Sequence, residues 1–435
     1  MSPRTSAAAL PVSGPHVAAH AGAPGLPYWC LLLFTIVAFV APQAMFPSLQ
    51  ELSIGRLTAG LAIATYVMHR LAHGRSLSVG APECRLMVWF VLLAAVSIPF
   101  SLWPGGSRDM LTGYLLKSAA VFFLIANLVD TPDRMRTFVG LLLACGAIIA
   151  SEAVSEYLGL GDLTLTSRIR GYESGLTANA NDLAMTLNLI IGLAAGLYRA
   201  TRNQAGRLVL LAAIGLCAAG VVVSFSRAGL LGLVTIGVIY HARLFRDRAW
   251  VAAGSLAALL LAASVLLPTG YLDRLQSAFD SSVEAVGYGS VTATARLELL
   301  KQGLISALKR PLGAGLGMDI LALREDGMGT WTATHNAYLQ IALELGVPGL
   351  LIFLALIRET LVGLLRALRE TRAISGATAS DGLGSGILMS LVALLVQFAF
   401  APVPYHLYLY YVLGLSVAFQ AMVRPAVAAA GRGAR

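Results

Sequence analysis

Arginine is the side chain best suited to grip a phosphate, because its planar guanidinium offers a fork of donors to two oxygens and stays charged at any relevant pH. In this chain Arg168 and Arg170 stand in SRIRGYESGLTANANDLA, Arg227 stands in SFSRAG, and Arg296, Lys301, Lys309 and Arg310 follow in a third polar stretch. SFSRAG joins two apolar runs with almost no linker. That places Arg227 at a boundary between polar and apolar surroundings, where a ligand with a phosphate and an apolar tail would lie. Lys309 and Arg310 read instead as cations that snorkel to lipid headgroups.

His335 lies in THNAYLQIALELGVPGL, where a His-Asn pair opens a helical run. An imidazole near its ordinary pKa of about 6.5 can take a proton from a hydroxyl at neutral pH, although a His at a helix start can equally serve as a cap. Glu344 is unusual within an apolar run; pairing with an arginine or capping a loop are the structural roles open to it. His406, in APVPYHLYLYY, sits among tyrosines and reads as part of an interfacial aromatic belt. There is no D-x-D, no H-E-x-x-H and no tight carboxylate cluster, and the adjacent Glu325 and Asp326 read as a solvated turn. No metal site and no cofactor are expected.

These residues must be positioned by elements that live in lipid. The chain has 435 residues, of which 57% are hydrophobic and only 12% charged, with a mean hydropathy of +0.76. Its apolar runs lack the period-2 alternation of a barrel strand, so helices must satisfy the backbone within each segment. We expect an all-α polytopic membrane protein with about twelve spans, near 27–47, 53–72, 86–103, 111–129, 135–158, 183–200, 207–224, 228–242, 249–268, 347–367, 384–402 and 405–423. The organisation that follows is a disordered cytoplasmic tail over 1–26, helices one to nine over 27–268 with a loop at 159–182, a large loop at 269–346, helices ten to twelve over 347–423, and a tail at 424–435.

Arginines concentrate in alternate connections, at Arg70, Arg75 and Arg85; Arg134 and Arg136; Arg199, Arg202 and Arg207; Arg243, Arg246 and Arg248; and Arg358 to Arg372. The positive-inside rule puts these, and both termini, in the cytoplasm. The two long loops then face outward, and in the larger one YLDRLQSAFDSSVEAVG and TARLELLKQGLISALKR have amphipathic spacing. The formal net charge of +9 is spread thinly without interleaved aromatics, which excludes a nucleic-acid partner. The four cysteines Cys30, Cys84, Cys145 and Cys217 lie far apart in or beside apolar runs and read as buried apolar residues.

With the outward arginines and the histidine in view, the motifs resemble a known family. His335-Asn336, nine residues, Gly346, two residues and Gly349 resemble the His-Asn-x9-Gly-x-x-Gly pattern of bacterial O-antigen ligases. Asn-Ala-Asn-Asp-Leu-Ala, Ser-Phe-Ser-Arg, Pro-Leu-Gly-Ala-Gly-Leu-Gly and His-Asn-Ala-Tyr-Leu are similar to stretches of the wider ligase, polymerase and oligosaccharyltransferase superfamily. The resemblance implies glycan transfer from undecaprenyl diphosphate to lipid A-core at the periplasmic face of the inner membrane, without a metal. It also implies roles. Arg227 and Arg296 would neutralise the leaving diphosphate with Arg168 or Arg170 assisting, His335 would act on the acceptor hydroxyl, and Asn336 and Tyr338 would support it.

Two alternatives from the same superfamily remain, polymerase and protein O-oligosaccharyltransferase. The Arg-x10-Gly repeat of polymerases is absent, because Asn179, Asn181, Val238 and Ala307 stand at the corresponding positions after Arg168, Arg170, Arg227 and Arg296. Another class is a lipid-linked glycan flippase or transporter, for which Lys117 is the one plainly intramembrane cation.

Overall fold

The computed structural model describes residues 25–49, 51–159, 169, 171, 176–244, 293–328, 333–375 and 379–433. Helix is the regular element throughout these residues. In chain order they form α1 (Leu26–Val40), α2 (Ile54–Ala72), α3 (Pro82–Ser97), α4 (Pro104–Leu128), α5 (Pro132–Gly159), α6 (Ala180–Ala200), α7 (Gln204–Val223) and α8 (Arg227–Leu244). After these come α9 (Ala293–Lys309), α10 (Ala337–Ser375), α11 (Ala379–Phe398) and α12 (Leu407–Gly433). Among the described residues eight helices are long and apolar enough to cross a membrane, namely α3 to α7 and α10 to α12. The chain is a multi-pass membrane protein. The expected span at 249–268 and most of the N-terminal tail lie outside the described residues.

Local sequence sets the helix starts. Pro82 and Pro104 open α3 and α4, where the missing proline N–H costs nothing. Asn179 caps α6 by accepting the N–H groups of Asn181 and Asp182 at 2.9 and 3.0 Å, and Asn203 caps α7 through Ala205. The four cysteines are all free and buried, as their apolar context requires.

The centre of the bundle is the pair α6 and α11, both largely shielded from the outside. Small residues let them meet backbone to backbone. A Cβ on Gly196 would come within 2.6 Å of the Gly386 Cα, and the Ser390 hydroxyl donates to the Leu189 carbonyl at 2.7 Å. Such seams give membrane helices the close packing that lipid cannot supply by the hydrophobic effect. At one end of this pair, Asp381 accepts from Arg372 at 2.6 Å and pairs with Arg199 at 3.5 Å, while Arg243 donates to Ser385 at 2.8 Å. Three arginines from separate connections of the sequence therefore share one end of the bundle. The motifs occupy the other.

Candidate functional site

The Ser-Phe-Ser-Arg turn passes from α7 into α8 through Phe225, whose φ of 52° is left-handed. Ser226 does two jobs at this turn. Its oxygen accepts the Gly229 N–H at 3.1 Å and so caps α8, and its hydroxyl donates to Asn181 Oδ1 at 2.8 Å. That bond ties the Ser-Phe-Ser-Arg motif to Asn-Ala-Asn-Asp-Leu-Ala at the start of α6. Gly229 is required there, because a Cβ would collide with the side chain of Ala184. Arg227 is thereby the first residue of α8, half-buried at a helix N-terminus, where the helix dipole adds to its positive field. A turn deeper, Asn188 donates to the Gly229 carbonyl at 2.8 Å and to Gln397 of α11 at 3.1 Å.

The His-Asn motif sits at the start of α10. His335 is half-buried with a φ of 49°, a conformation that non-glycine residues hold only when their surroundings impose it. Asn336 accepts the Leu339 N–H at 3.0 Å as the helix cap and donates to the Ala399 carbonyl at 3.2 Å. Tyr338 donates to the Leu395 carbonyl at 2.9 Å. Both residues therefore fasten the His335 turn to the end of α11. Asp319, at the start of the short helix Asp319–Leu323, receives the Thr334 N–H at a long 3.5 Å. Burial pushes the Asp319 carboxyl above the usual range, against hydrogen bonds from backbone N–H groups and Thr334.

The glycine motif Pro311 to Gly317 explains itself by contact. Its Ala314 and Gly315 N–H groups donate to the carbonyls of Leu343 and Glu344 at 2.8 and 2.9 Å, and Val347 donates back to Pro311 at 2.9 Å. This docking takes place where α10 kinks at Gly346, which has a φ of 67°. The membrane helix expected over 347–367 is the part of α10 beyond that kink. On its other side the loop binds the α3–α4 connection, where Leu102 donates to Ala314 at 2.9 Å and Ser107 to Leu316 at 2.7 Å.

Of the two structural roles expected for Glu344, the structure shows the loop cap, because its carboxylate accepts a hydrogen bond from the Gly317 backbone of the glycine loop. Glu344 is fully buried, accepting from Gln340 at 2.7 Å and from the Tyr405 hydroxyl at 2.7 Å. Tyr408, the second residue of α12, donates to Asp182 of α6 at 3.4 Å. A closed circuit of contacts thus runs from Asn336 to α11, through Gln397 and Asn188 to α8, through Ser226 to α6, and through Asp182, Tyr408, Tyr405 and Glu344 back to α10. Asp182 belongs to the Asn-Ala-Asn-Asp-Leu-Ala motif, whereas Tyr405, Tyr408, Asn188 and Gln397 carried no distinguishing signal beyond being polar groups at span ends or in apolar runs. His406 packs on the rings of Tyr114 at 5.8 Å and Tyr408 at 5.5 Å, in keeping with an aromatic belt.

The other three expected arginines fall differently. Arg168 and Arg170 lie outside the described residues, on either side of the buried Ile169. Arg296 belongs to the backbone of α9, two turns before Gly303, which rests against Leu339 next to the His335 turn. The amphipathic spacing of TARLELLKQGLISALKR is realised as this helix. Among the described residues no group of three His, Cys, Asp or Glu side chains could hold a metal ion.

Arg310 and Lys309 do not simply reach for lipid, and Glu325 with Asp326 is more than a solvated turn. Arg310 pairs with Asp326 and, at 3.1 Å, with Glu325, while Lys309 stands 3.6 Å from Asp326. Burial raises the Asp326 pKa, but hydrogen bonds from Ser306 and Arg310 and the charges of Arg310 and Lys309 outweigh it and hold the carboxyl below its usual range. A depressed carboxylate contributes stability above its unfolded pKa and loses it as pH falls through the folded value. Hydrogen exchange along α9 should therefore quicken as pH drops below about 4. In Asp326→Asn the faster exchange should be present already at neutral pH and lose its acid step.

Residues 183–354 match a protein-family model described as O-antigen ligase. No curated protein matches the chain. The matched segment contains Arg227, Arg296, His335, Asn336, Tyr338, Glu344 and both glycines of the His-Asn motif. It begins after Arg168 and Arg170 and ends before the tyrosines of α12. Over this segment the chain is similar to the O-antigen ligase family, in agreement with the motif resemblance.

Proposed function

We propose that this protein is an O-antigen ligase that moves a glycan from undecaprenyl diphosphate to lipid A-core at the periplasmic face of the inner membrane. The observation that supports this reading best is the circuit at one end of the bundle, which gathers the starts of α6, α8, α10 and α12, with Arg227 and His335 at two of them. An acceptor hydroxyl attacks the anomeric carbon of the glycan from the face opposite the leaving group. The bond between that carbon and the phosphate oxygen breaks, and the configuration inverts.

His335 takes the hydroxyl proton. Arg227 and Arg296, assisted by Arg168 and Arg170, neutralise the charge that grows on the diphosphate, and such stabilisation is often the largest catalytic contribution. Asn336 and Tyr338 hold the histidine turn against α11. Glu344 fixes Tyr405 and the base of the glycine loop. The chemistry needs no metal ion and no nucleotide sugar.

Purified protein incubated with a defined undecaprenyl-diphosphate glycan and lipid A-core should yield capped lipid A-core, with added chelator making no difference. A glycan lengthened on the carrier instead would make the protein a polymerase. Carrier translocation without any transfer would make it a flippase. Arg227→Lys should lower transfer by about 10²-fold, since an ammonium is a point charge that cannot bind two phosphate oxygens at once. Activity close to wild type in that variant would reduce Arg227 to a general electrostatic role.

A further inference from the structure

A cavity of about 800 Å³ lies between α1, α2 and α4, and it borders the circuit without belonging to it. Tyr405, His406 and Leu407 form one wall, and Leu176, just before the cap of α6, lines it as well. Among the described residues its charged lining residues are Arg56 and Lys117, and no described carboxylate lines it. The walls are otherwise mostly apolar, with Phe34, Val37, Ile63, Val121 and Leu124 among them.

The two cations lie toward the same end of this cavity. Arg56 is in the first turn of α2, whereas the far end of that helix carries Arg70, which donates to Asn127 near the end of α4. Lys117 is next to Ser118, whose hydroxyl donates to the Tyr405 carbonyl at 2.7 Å. The charged mouth is therefore level with the Tyr405 and Glu344 pair, and the apolar walls run from it toward the opposite face. Beside the mouth α4 loosens into a π-turn over Leu111–Leu115, an irregularity that often accompanies function. Lys117 has no described carboxylate within ion-pair distance.

We propose that this cavity seats the first isoprene units of the polyprenyl diphosphate donor, with Lys117 and Arg56 holding the phosphate nearest the lipid. The proposal rests on the donor class argued above. A mouth whose described charged residues are both cations selects an anion, and an apolar bore selects a chain. Adjacency to the circuit selects the donor over the acceptor. In the donor the reacting bond is one diphosphate away from the lipid chain, whereas in lipid A-core the acceptor sugar is separated from its acyl chains by the core saccharide.

Binding measured directly on the full-length protein in nanodiscs separates this proposal from the reaction itself. The probes are undecaprenyl diphosphate, lipid A-core and phosphatidylglycerol. Lys117→Gln should weaken undecaprenyl diphosphate binding about tenfold, the loss of one charge-assisted contact, and Lys117→Arg should restore most of it. Gly113→Phe is the second variant: a Cβ there meets nothing within 4 Å, so the ring can enter the cavity without disturbing the helix. It should weaken the same ligand about as much while lipid A-core binding stays at wild-type level.

Unchanged carrier binding in both Lys117→Gln and Gly113→Phe overturns the proposal and leaves the ligase reading intact. A selective loss of lipid A-core binding, or equal competition by phosphatidylglycerol, overturns it too. No carrier binding by the wild type would instead remove the ligase reading on which it rests.

Discussion

Replacing His335 by asparagine is expected to slow glycan transfer by about 10²–10⁴-fold, the range for removing a general base, with insertion and donor binding unchanged. Asparagine is the informative substitution because the backbone here is left-handed, with a φ of 49°. Asparagine tolerates that conformation better than alanine, which would add backbone strain to the loss of the imidazole. His335→Gly supplies the complement, since it removes any strain together with the side chain. The two variants should fail equally in transfer. If His335→Asn retains near-normal transfer, the histidine is a helix-start residue and the proton goes elsewhere.

Gly346→Val is expected to uncouple the site from below and to cost about 2–5 kcal/mol of stability. Two independent penalties meet at this position. The φ of 67° disfavours any side chain and a β-branched one most, and a Cβ would collide with the Pro311 carbonyl and lie 2.7 Å from the Gly313 nitrogen. The Ala314 and Gly315 bonds to α10 and the Leu102 and Ser107 bonds to the same loop depend on that close approach. The α3–α4 connection should therefore loosen with the glycine loop. Thermal unfolding in detergent and hydrogen exchange over 311–317 and 101–107 would test this. An unchanged melting temperature with normal protection in both segments would show that the kink yields easily. Gly349→Ala makes a useful comparison, because its steric conflict is with the Leu345 side chain across the same kink rather than with the loop.

The membrane class and the motifs were legible because they depend on local properties. Apolar runs long enough to span, proline and asparagine at helix starts, and arginines bunched in alternate connections each state their physics within a few residues. The sequence also singled out Arg227, His335 and the two glycines of the His-Asn motif, since a cation at a span boundary and a histidine before an apolar run are unusual where they stand. It misjudged the pair Glu325 and Asp326, and left the side-chain partner of Glu344 unnamed, for one reason. What a carboxylate does is set by its partner, and Tyr405 and Arg310 are identified as partners only by proximity in space.

The sequence by itself determined that this chain is a helical membrane protein with a few polar motifs whose side chains are of types suited to binding phosphate and accepting a proton. Only the tertiary structure decided that these motifs gather at one end of the bundle. Hydrogen bonds from Ser226 to Asn181, Asn336 to Ala399 and Tyr408 to Asp182 join positions far apart in the chain. Helical periodicity reports which face of a helix is apolar, but not which other helix will lie against it. That choice is made by close packing of small residues, as between α6 and α11, and by the need of every buried polar group for a partner.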